Sequence, residues 1–212
     1  EKLIEDIRVL SGIPADGRIL EIGYGPGNAT VSFAKLEYAI LAIELGTHLA
    51  ALAAKNCRPY PRVEIRKMPF EDWEPEEGAF DLAIAADAFH WIQPELGYPK
   101  VARALKKTGS IAFFWRLPVD PQTDWSEAIG AVYREQVSQA DNPDKLFTKE
   151  WLVKTVTETI NTSQCFGGIT VRQYSWSETL TGEQYIKSLW TYSGHREMDG
   201  VTRKQLYAGI QE

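Results

Sequence analysis

The hydrophobic positions change period several times along the 212 residues, and each change marks an element. Leu3, Ile4, Ile7 and Leu10 recur at the spacing of one helical face, and Ser11-Gly12-Ile13-Pro14 supplies a stop. Residues 18–22, Arg18-Ile19-Leu20-Glu21-Ile22, form a short apolar run of the kind that a strand covered on both faces requires, and glycines follow at once. A helix over 28–36 offers Val31, Ala34 and Leu36 to a core. A second strand over 39–43 ends at Glu44, and Leu49, Leu52 and Ala53 mark the helix after it. Short strands are expected at 63–65, 80–86 and 110–115, with a helix over 100–105 and Pro99 near its first turn. Strands alternating with helices at this rhythm predict an α/β fold, a doubly wound and mostly parallel Rossmann-like sheet covered on both faces.

The character changes after Arg116. Helical patterns occupy about 124–138, 148–160, 182–193 and 201–211, with one strand expected at about 170–176. Trp125, Trp151, Trp176 and Trp190 all fall in this half. No low-complexity linker or internal repeat separates the halves. The division expected is therefore a Rossmann-like domain over 1–116 and a helical substrate cap over 117–212, packed on the same domain.

Composition narrows the function classes. Hydrophobic residues make up 44% and charged residues 25%, an ordinary globular balance. The formal charge of -6 argues against tracking a nucleic-acid backbone, which calls for a basic face, so no nucleic-acid partner is expected. Cys57 and Cys165 match no metal or redox spacing, and they read as idle thiols of a reducing compartment. No apolar run approaches the roughly 20 residues of a membrane span and no signal peptide opens the chain, so the expectation is cytoplasmic, with no membrane partner and no metal. The chain opens at Glu1 without a methionine and stops inside a helical pattern, which predicts that both ends of the natural protein are missing.

The chemistry concentrates in Glu21-Ile22-Gly23-Tyr24-Gly25-Pro26-Gly27. A strand that ends in G-x-G-x-G and opens a helix lets a ligand approach the backbone, because glycine has no side chain in the way. The rival is the dinucleotide fingerprint G-x-G-x-x-G, with pyrophosphate on the helix N-terminus. Here the third glycine comes one residue early, and Asn28 occupies the fingerprint position. Glu21 would repel a diphosphate but attract the ammonium of an amino-acid tail. Glu44, at the end of the second strand, stands where a carboxylate can accept from both hydroxyls of a nucleotide ribose.

These residues resemble the class I S-adenosylmethionine (SAM)-dependent methyltransferases across 18–115. Residues 18–30 look like the family's first motif, and Ile43-Glu44-Leu45-Gly46 is similar to its strand-two acid. Residues 80–92, with His90-Trp91, resemble its fourth-strand motif in the small-molecule branch similar to trans-aconitate methyltransferase. Residues 101–115 resemble its next helix and strand, with Lys107-Thr108-Gly109 in place of the usual link. The resemblance implies SAM as cofactor and S-adenosyl-L-homocysteine as product. It implies that Glu21, Gly23, Tyr24, Gly25 and Gly27 surround the methionine portion, and that Glu44 and Leu45 hold the ribose and flank the adenine. Phe70 and Glu71 would meet the adenine, Phe70 reading equally as a core residue, and Ala86 and Asp87 would line the pocket near the sulfonium. The family's closing antiparallel strand is expected beyond residue 212.

His90 falls where the transferred methyl would emerge, suited to orient a substrate carboxylate or to act as a base. Trp91 reads as strand-end packing or pocket wall. Trp115, Trp190, Tyr192 and His195 are further candidates for an aromatic substrate pocket, each with helix packing as the competing role. The function expected is methyl transfer to a small-molecule acceptor (carboxylate, hydroxyl or amine) by in-line displacement. The alternatives are a nicotinamide-dependent oxidoreductase and a SAM-binding module without catalysis. Oligomeric state is not legible.

Overall fold

In the computed structural model the described residues are 1–117, 123–137 and 148–211. They form two compact units, one of residues 1–116 with 155–170 and the other of 117–154 with 171–212.

The first unit is built on five parallel strands: β1 (Arg18–Ile22), β2 (Ala39–Glu44), β3 (Val63–Lys67), β4 (Phe80–Ala86) and β5 (Leu105–Phe114). Their order is β3-β2-β1-β4-β5, so β1 is central and the chain reverses direction across the sheet between β1 and β4. In open sheets of this type ligands bind outside the carboxyl ends of the strands at that reversal. Helices α1 (Lys2–Ser11), α2 (Asn28–Ala34), α3 (Thr47–Cys57) and α4 (Pro94–Ala104) accompany the strands. Gly12, in the left-handed region at φ 62°, ends α1 by donating its N–H to the Arg8 carbonyl.

Alternation along each strand feeds two separate cores. Leu20, Ile22, Leu41, Ile43, Ala83 and Ala85 join Trp73, Phe80, Phe89 and Val101 on one side. Ile19, Ile40, Ala42, Leu82 and Ile84 join Ile7, Phe33 and Ala53 on the other. This is why the strands read as continuous apolar runs. Leu82 is fully buried, whereas Val9 is 69% exposed. Leu82→Ala should therefore cost about 2–5 kcal/mol, and Val9→Ala should stay within about 0.5 kcal/mol. Urea unfolding of the two variants, followed by tryptophan fluorescence, checks the contrast.

Several boundaries differ from the sequence reading. Helix α4 begins at Pro94, which occupies its first turn, so Pro99 falls inside the helix. Strand β5 starts directly after α4. The Lys107-Thr108-Gly109 link belongs to its opening, where the pairing with β4 shifts register between Phe80–Leu105 and Leu82–Ser110.

The second unit is helical: α5 (Asp124–Gln136), α7 (Gly182–Leu189), α8 (Ser193–Glu197) and α9 (Gly200–Gln211), around Tyr133, Val137 and Leu206. Helix α6 (Lys149–Ser163) crosses the boundary at 154/155. Thr123 and Thr181 cap α5 and α7, each in a reciprocal box with the residue three positions on. The helix read over 182–193 ends at Leu189, and α8 begins only at Ser193. Thr191 donates its hydroxyl to the Ser188 carbonyl at 2.6 Å, taking an acceptor that the ladder would use. Residue 138, the last position expected in α5, lies outside the described residues.

The strand expected at 170–176 does not form. Those residues have no ladder partner among the described residues, and they are exposed almost throughout, Val171 at 55% and Trp176 at 63%. Alternating apolar residues make a strand only where a neighbour supplies hydrogen bonds and one face is buried.

Candidate functional site

The site is assembled at the carboxyl ends of the strands, where the turn after β1 is folded by three glycines. Gly23, Gly25 and Gly27 have φ of 70°, 52° and 86°, a region that L side chains rarely adopt. Their surroundings separate their duties. A Cβ on Gly23 would stand 2.3 Å from that of Ala88, so the absent side chain lets the loop after β4 press against the turn after β1. A Cβ on Gly27 would crowd Cys57 and Ala53 of α3. Around Gly25 no atom lies within 4 Å of that position, so its bare backbone faces open space.

Glu44 braces this turn. Its carboxylate accepts from the Gly25 N–H at 3.1 Å and from the Gly46 N–H at 2.8 Å. Gly23 donates its N–H to the Ile43 carbonyl, and Met68, just past β3, donates to the Glu44 carbonyl. The ends of β1, β2 and β3 are thus tied through backbone groups. Leu45 is exposed at 67%.

Glu21 is the anomaly. It is 1% exposed, and neither carboxylate oxygen has a hydrogen-bond partner. Burial pushes its carboxyl up from 4.5 to about 8, opposed by the hydroxyl and N–H of Thr30, which lie close enough to favour the ionised form without completing a hydrogen bond to it. The Thr30 hydroxyl is itself buried without a partner, as is that of Tyr24. Tyr24 points beneath the turn into the core, where burial raises its phenol to about 12. An acceptor in a dry place is costly unless paired, and a cation satisfies a carboxylate best.

The other wall lies across β4 and β5. Asp87 sits at φ 52°, and its N–H donates to the Phe114 carbonyl at 3.0 Å. Its Oδ1 accepts from the Arg116 N–H at 2.9 Å. Desolvation raises the Asp87 carboxyl despite these bonds. His90 follows in a 3-10 turn, Phe89–Trp91, and accepts from the indole N–H of half-buried Trp115 at 3.0 Å. Desolvation lowers the imidazole, partly opposed by the negative charge of Asp87.

The sequence-predicted residues sort as follows. The first unit brings together Glu21, Gly23, Gly25, Gly27, Glu44, Asp87, His90 and Trp115, because the Gly23–Ala88 contact joins the β1 turn to the β4 loop. Ala86 ends β4 partly exposed. Phe70 is in the core at 5% exposure, 5.7 Å from the Trp73 ring, and its neighbour Glu71 is exposed. Trp91 is 66% exposed, so it does not pack in the core. In the second unit, His195 is 1% exposed, its Nε2 2.9 Å from the Tyr133 hydroxyl and its Nδ1 3.4 Å from that of Tyr207. It lies among the rings of Tyr133, Tyr192 and Tyr207. Trp190 lies under the Arg203 guanidinium, 4.4 Å from ring centre to carbon. Sequence reasoning missed the Ala88 contact and the Asp87–Arg116 bond, for which residues 87–116 carry no local signal. Thr30 was visible only as the closing residue of the first motif.

Comparison with known proteins gives this geometry a family. The family described as methyltransferase domain matches residues 19–109. Those residues thus match a methyltransferase domain, and their fold is that of the class I SAM-dependent methyltransferases. An uncharacterised methyltransferase of Mycobacterium tuberculosis is 24% identical over 116 residues, 54% of this chain and 46% of that protein. A protein of Saccharomyces cerevisiae assigned as a SAM-dependent methyltransferase is 27% identical over 123 residues, 55% of this chain and 41% of that protein. The chain thus matches less than half the length of these curated relatives. A solved structure assigned as a methyltransferase from an antibiotic biosynthesis pathway of Anabaena variabilis is similar in fold, with a TM-score of 0.72 at 14% identity, covering 99% of this chain and 83% of that one. The class I domain has SAM as its cofactor, and the buried Glu21 carboxylate beside the bare Gly25 backbone fits the ammonium of that molecule's amino-acid tail. No group of three or more His, Cys, Asp and Glu poised for a metal occurs among the described residues, and no helix there is long and apolar enough to cross a membrane.

Glu21 yields a pH prediction. The unfolded chain loses this proton near 4.5 and the folded one near 8. Its contribution is therefore fully present below about 4.5, declines as pH rises, and levels off above 8. Glu21→Gln removes the penalty, so its melting temperature relative to the parent should climb between pH 5 and 8. A difference that stays flat across that window would rule out a dry, late-ionising Glu21.

Proposed function

We propose that the chain binds SAM at the turn after β1 and transfers its methyl group to a small-molecule acceptor. The observation that carries this reading is the pairing of an unpartnered buried carboxylate, Glu21, with an open left-handed glycine at Gly25. When bound, SAM supplies a methyl group already activated by its sulfonium charge. Glu21 attracts the ammonium, Gly25 and Gly27 leave the backbone approachable, and Glu44 keeps acceptor capacity for ribose hydroxyls beyond its bonds to Gly25 and Gly46. Asp87 and His90 stand on the β4 loop pressed against that turn, and the reading gives them the acceptor side. A small acceptor is favoured by the acidic balance of the chain and by Asp87-Ala88-Phe89-His90, where many enzymes that methylate nucleic-acid amines carry an Asn/Asp-Pro-Pro-Tyr/Phe segment. The expected cytoplasmic setting belongs to this proposal as well.

Isothermal titration with SAM and with S-adenosyl-L-homocysteine is the direct test. Both should bind, and NADH should not. Absence of heat at millimolar ligand, from a chain shown to be folded by circular dichroism, overturns the reading. Glu44→Ala should weaken binding by about 1–3 kcal/mol, roughly 5- to 150-fold, since it removes the ribose acceptors and the brace on Gly25. Unchanged affinity would remove Glu44 from the site. Binding without turnover on carboxylate, hydroxyl or amine acceptors would favour a SAM-binding module without catalysis.

A further inference from the structure

The bond between Trp115 and His90 constrains more than position. An indole N–H donates and has no lone pair to accept with. At 3.0 Å from Trp115 Nε1, His90 Nδ1 is therefore the acceptor and carries no proton. In a neutral imidazole the proton then resides on Nε2, so that atom donates and does not accept. We infer that Trp115 is a positioning residue that fixes His90 as a neutral Nε2–H donor, so that His90 orients an oxygen of the methyl acceptor and does not take a proton from it.

Each side of the pair is held independently. Trp115 follows β5, whose alignment with β4 is set by Ala85–Phe113 and Ala86–Phe114. The Asp87 N–H to Phe114 carbonyl and Arg116 N–H to Asp87 Oδ1 bonds bracket it on either side. His90 is fixed by its 3-10 turn, with Phe89 buried below it and stacked 4.1 Å from Phe113. Among the described residues Asp87, on the β4 loop, is the charged group that acts on the imidazole. Asp87 favours the imidazolium, but its carboxylate is engaged by the Arg116 N–H. Protonating Nδ1 would set two N–H groups against each other, so desolvation and the indole bond both favour the neutral ring.

The consequence for specificity rests on the function proposed above. An acceptor aligned by His90 must offer an oxygen lone pair, and it must be nucleophilic already or lose its proton elsewhere. A carboxylate meets both conditions without a base. An ammonium fails the first, since it has no lone pair to offer a donor, and it is nucleophilic only after losing a proton elsewhere.

The test is nitrogen-15 spectroscopy of the imidazole and indole signals of the uniformly labelled whole chain, without ligand. His90 should show a protonated Nε2 and an unprotonated, acceptor-type Nδ1, with Trp115 Nε1–H shifted downfield as a hydrogen-bonded donor. In Trp115→Phe, His90 should titrate at higher pH and populate both tautomers. His90→Gln, which keeps a donor near the Nε2 position, should leave the Trp115 signal without its downfield shift. Finding Nε2 unprotonated in the parent chain overturns the inference, and so does a His90 titration unmoved in a folded Trp115→Phe protein. S-adenosyl-L-homocysteine titration of the same samples reports separately on the cofactor reading. Loss of binding with the tautomer intact would sink that reading, whereas binding with the opposite tautomer would sink this one.

Discussion

Burial of β1 on both faces is the constraint from which the rest follows. A strand at the centre of a parallel sheet has no solvent side, and Ile19, Leu20 and Ile22 are accordingly at 2% exposure or less. Glu21 shares that run, so the same packing that stabilises the sheet strips water from a carboxylate. The folded chain carries this penalty at neutral pH because the gain from the surrounding apolar residues exceeds it. The strand ends where its neighbours diverge, and three left-handed glycines carry the chain away without covering the acid. A dry acceptor beside a bare backbone is a poor way to stabilise an empty protein and a good way to hold an amino-acid zwitterion.

Glu44 shows what the same side chain does one strand away. It is half-buried, and its two oxygens accept from Gly25 and Gly46. The two acids therefore divide the work. Glu44 holds the shape of the turn while keeping lone pairs to spare, and Glu21 supplies a dry carboxyl that burial keeps protonated and that a cation would draw into its ionised form. Neither substitutes for the other, because placing Glu21 in a hydrogen-bonded setting would remove its demand for a cation.

Most of the glycine turn and its flanking acids was legible in the sequence because these residues lie within a few positions of strand ends. The period of the apolar runs locates those ends, and the glycines and acids then fall in a fixed local order. Across the sheet that legibility fails. Trp115 and His90 are 25 positions apart, and their meeting depends on the register of β4 against β5, which contains an irregularity no local pattern signals. The Gly23–Ala88 contact is equally remote, although an obligatory glycine was the right clue that something approaches closely there. The error at 170–176 has the opposite origin. Its alternation of apolar and polar residues is strand-like, but no neighbouring strand among the described residues pairs with it. His195 and Trp190 were readable as aromatic-cap residues by type alone, and type does not distinguish a pocket wall from the hydrogen-bonded node that His195 forms with Tyr133 and Tyr207.

In-line displacement from a sulfonium asks little of acid–base chemistry and much of alignment, since holding two reactants in a near-attack geometry can supply several kcal/mol of the barrier reduction. The arrangement around β4 and β5 matches that demand. Asp87 occupies a strained backbone position that its bonds to Phe114 and Arg116 maintain, and the loop it opens is pressed on the glycine turn through Gly23. A loosely attached histidine could serve as a base in several poses, but one pinned at Nδ1 by an indole can present only one atom in one direction. That loss of versatility is useful where the reaction needs an oxygen held still and already carries its own leaving group.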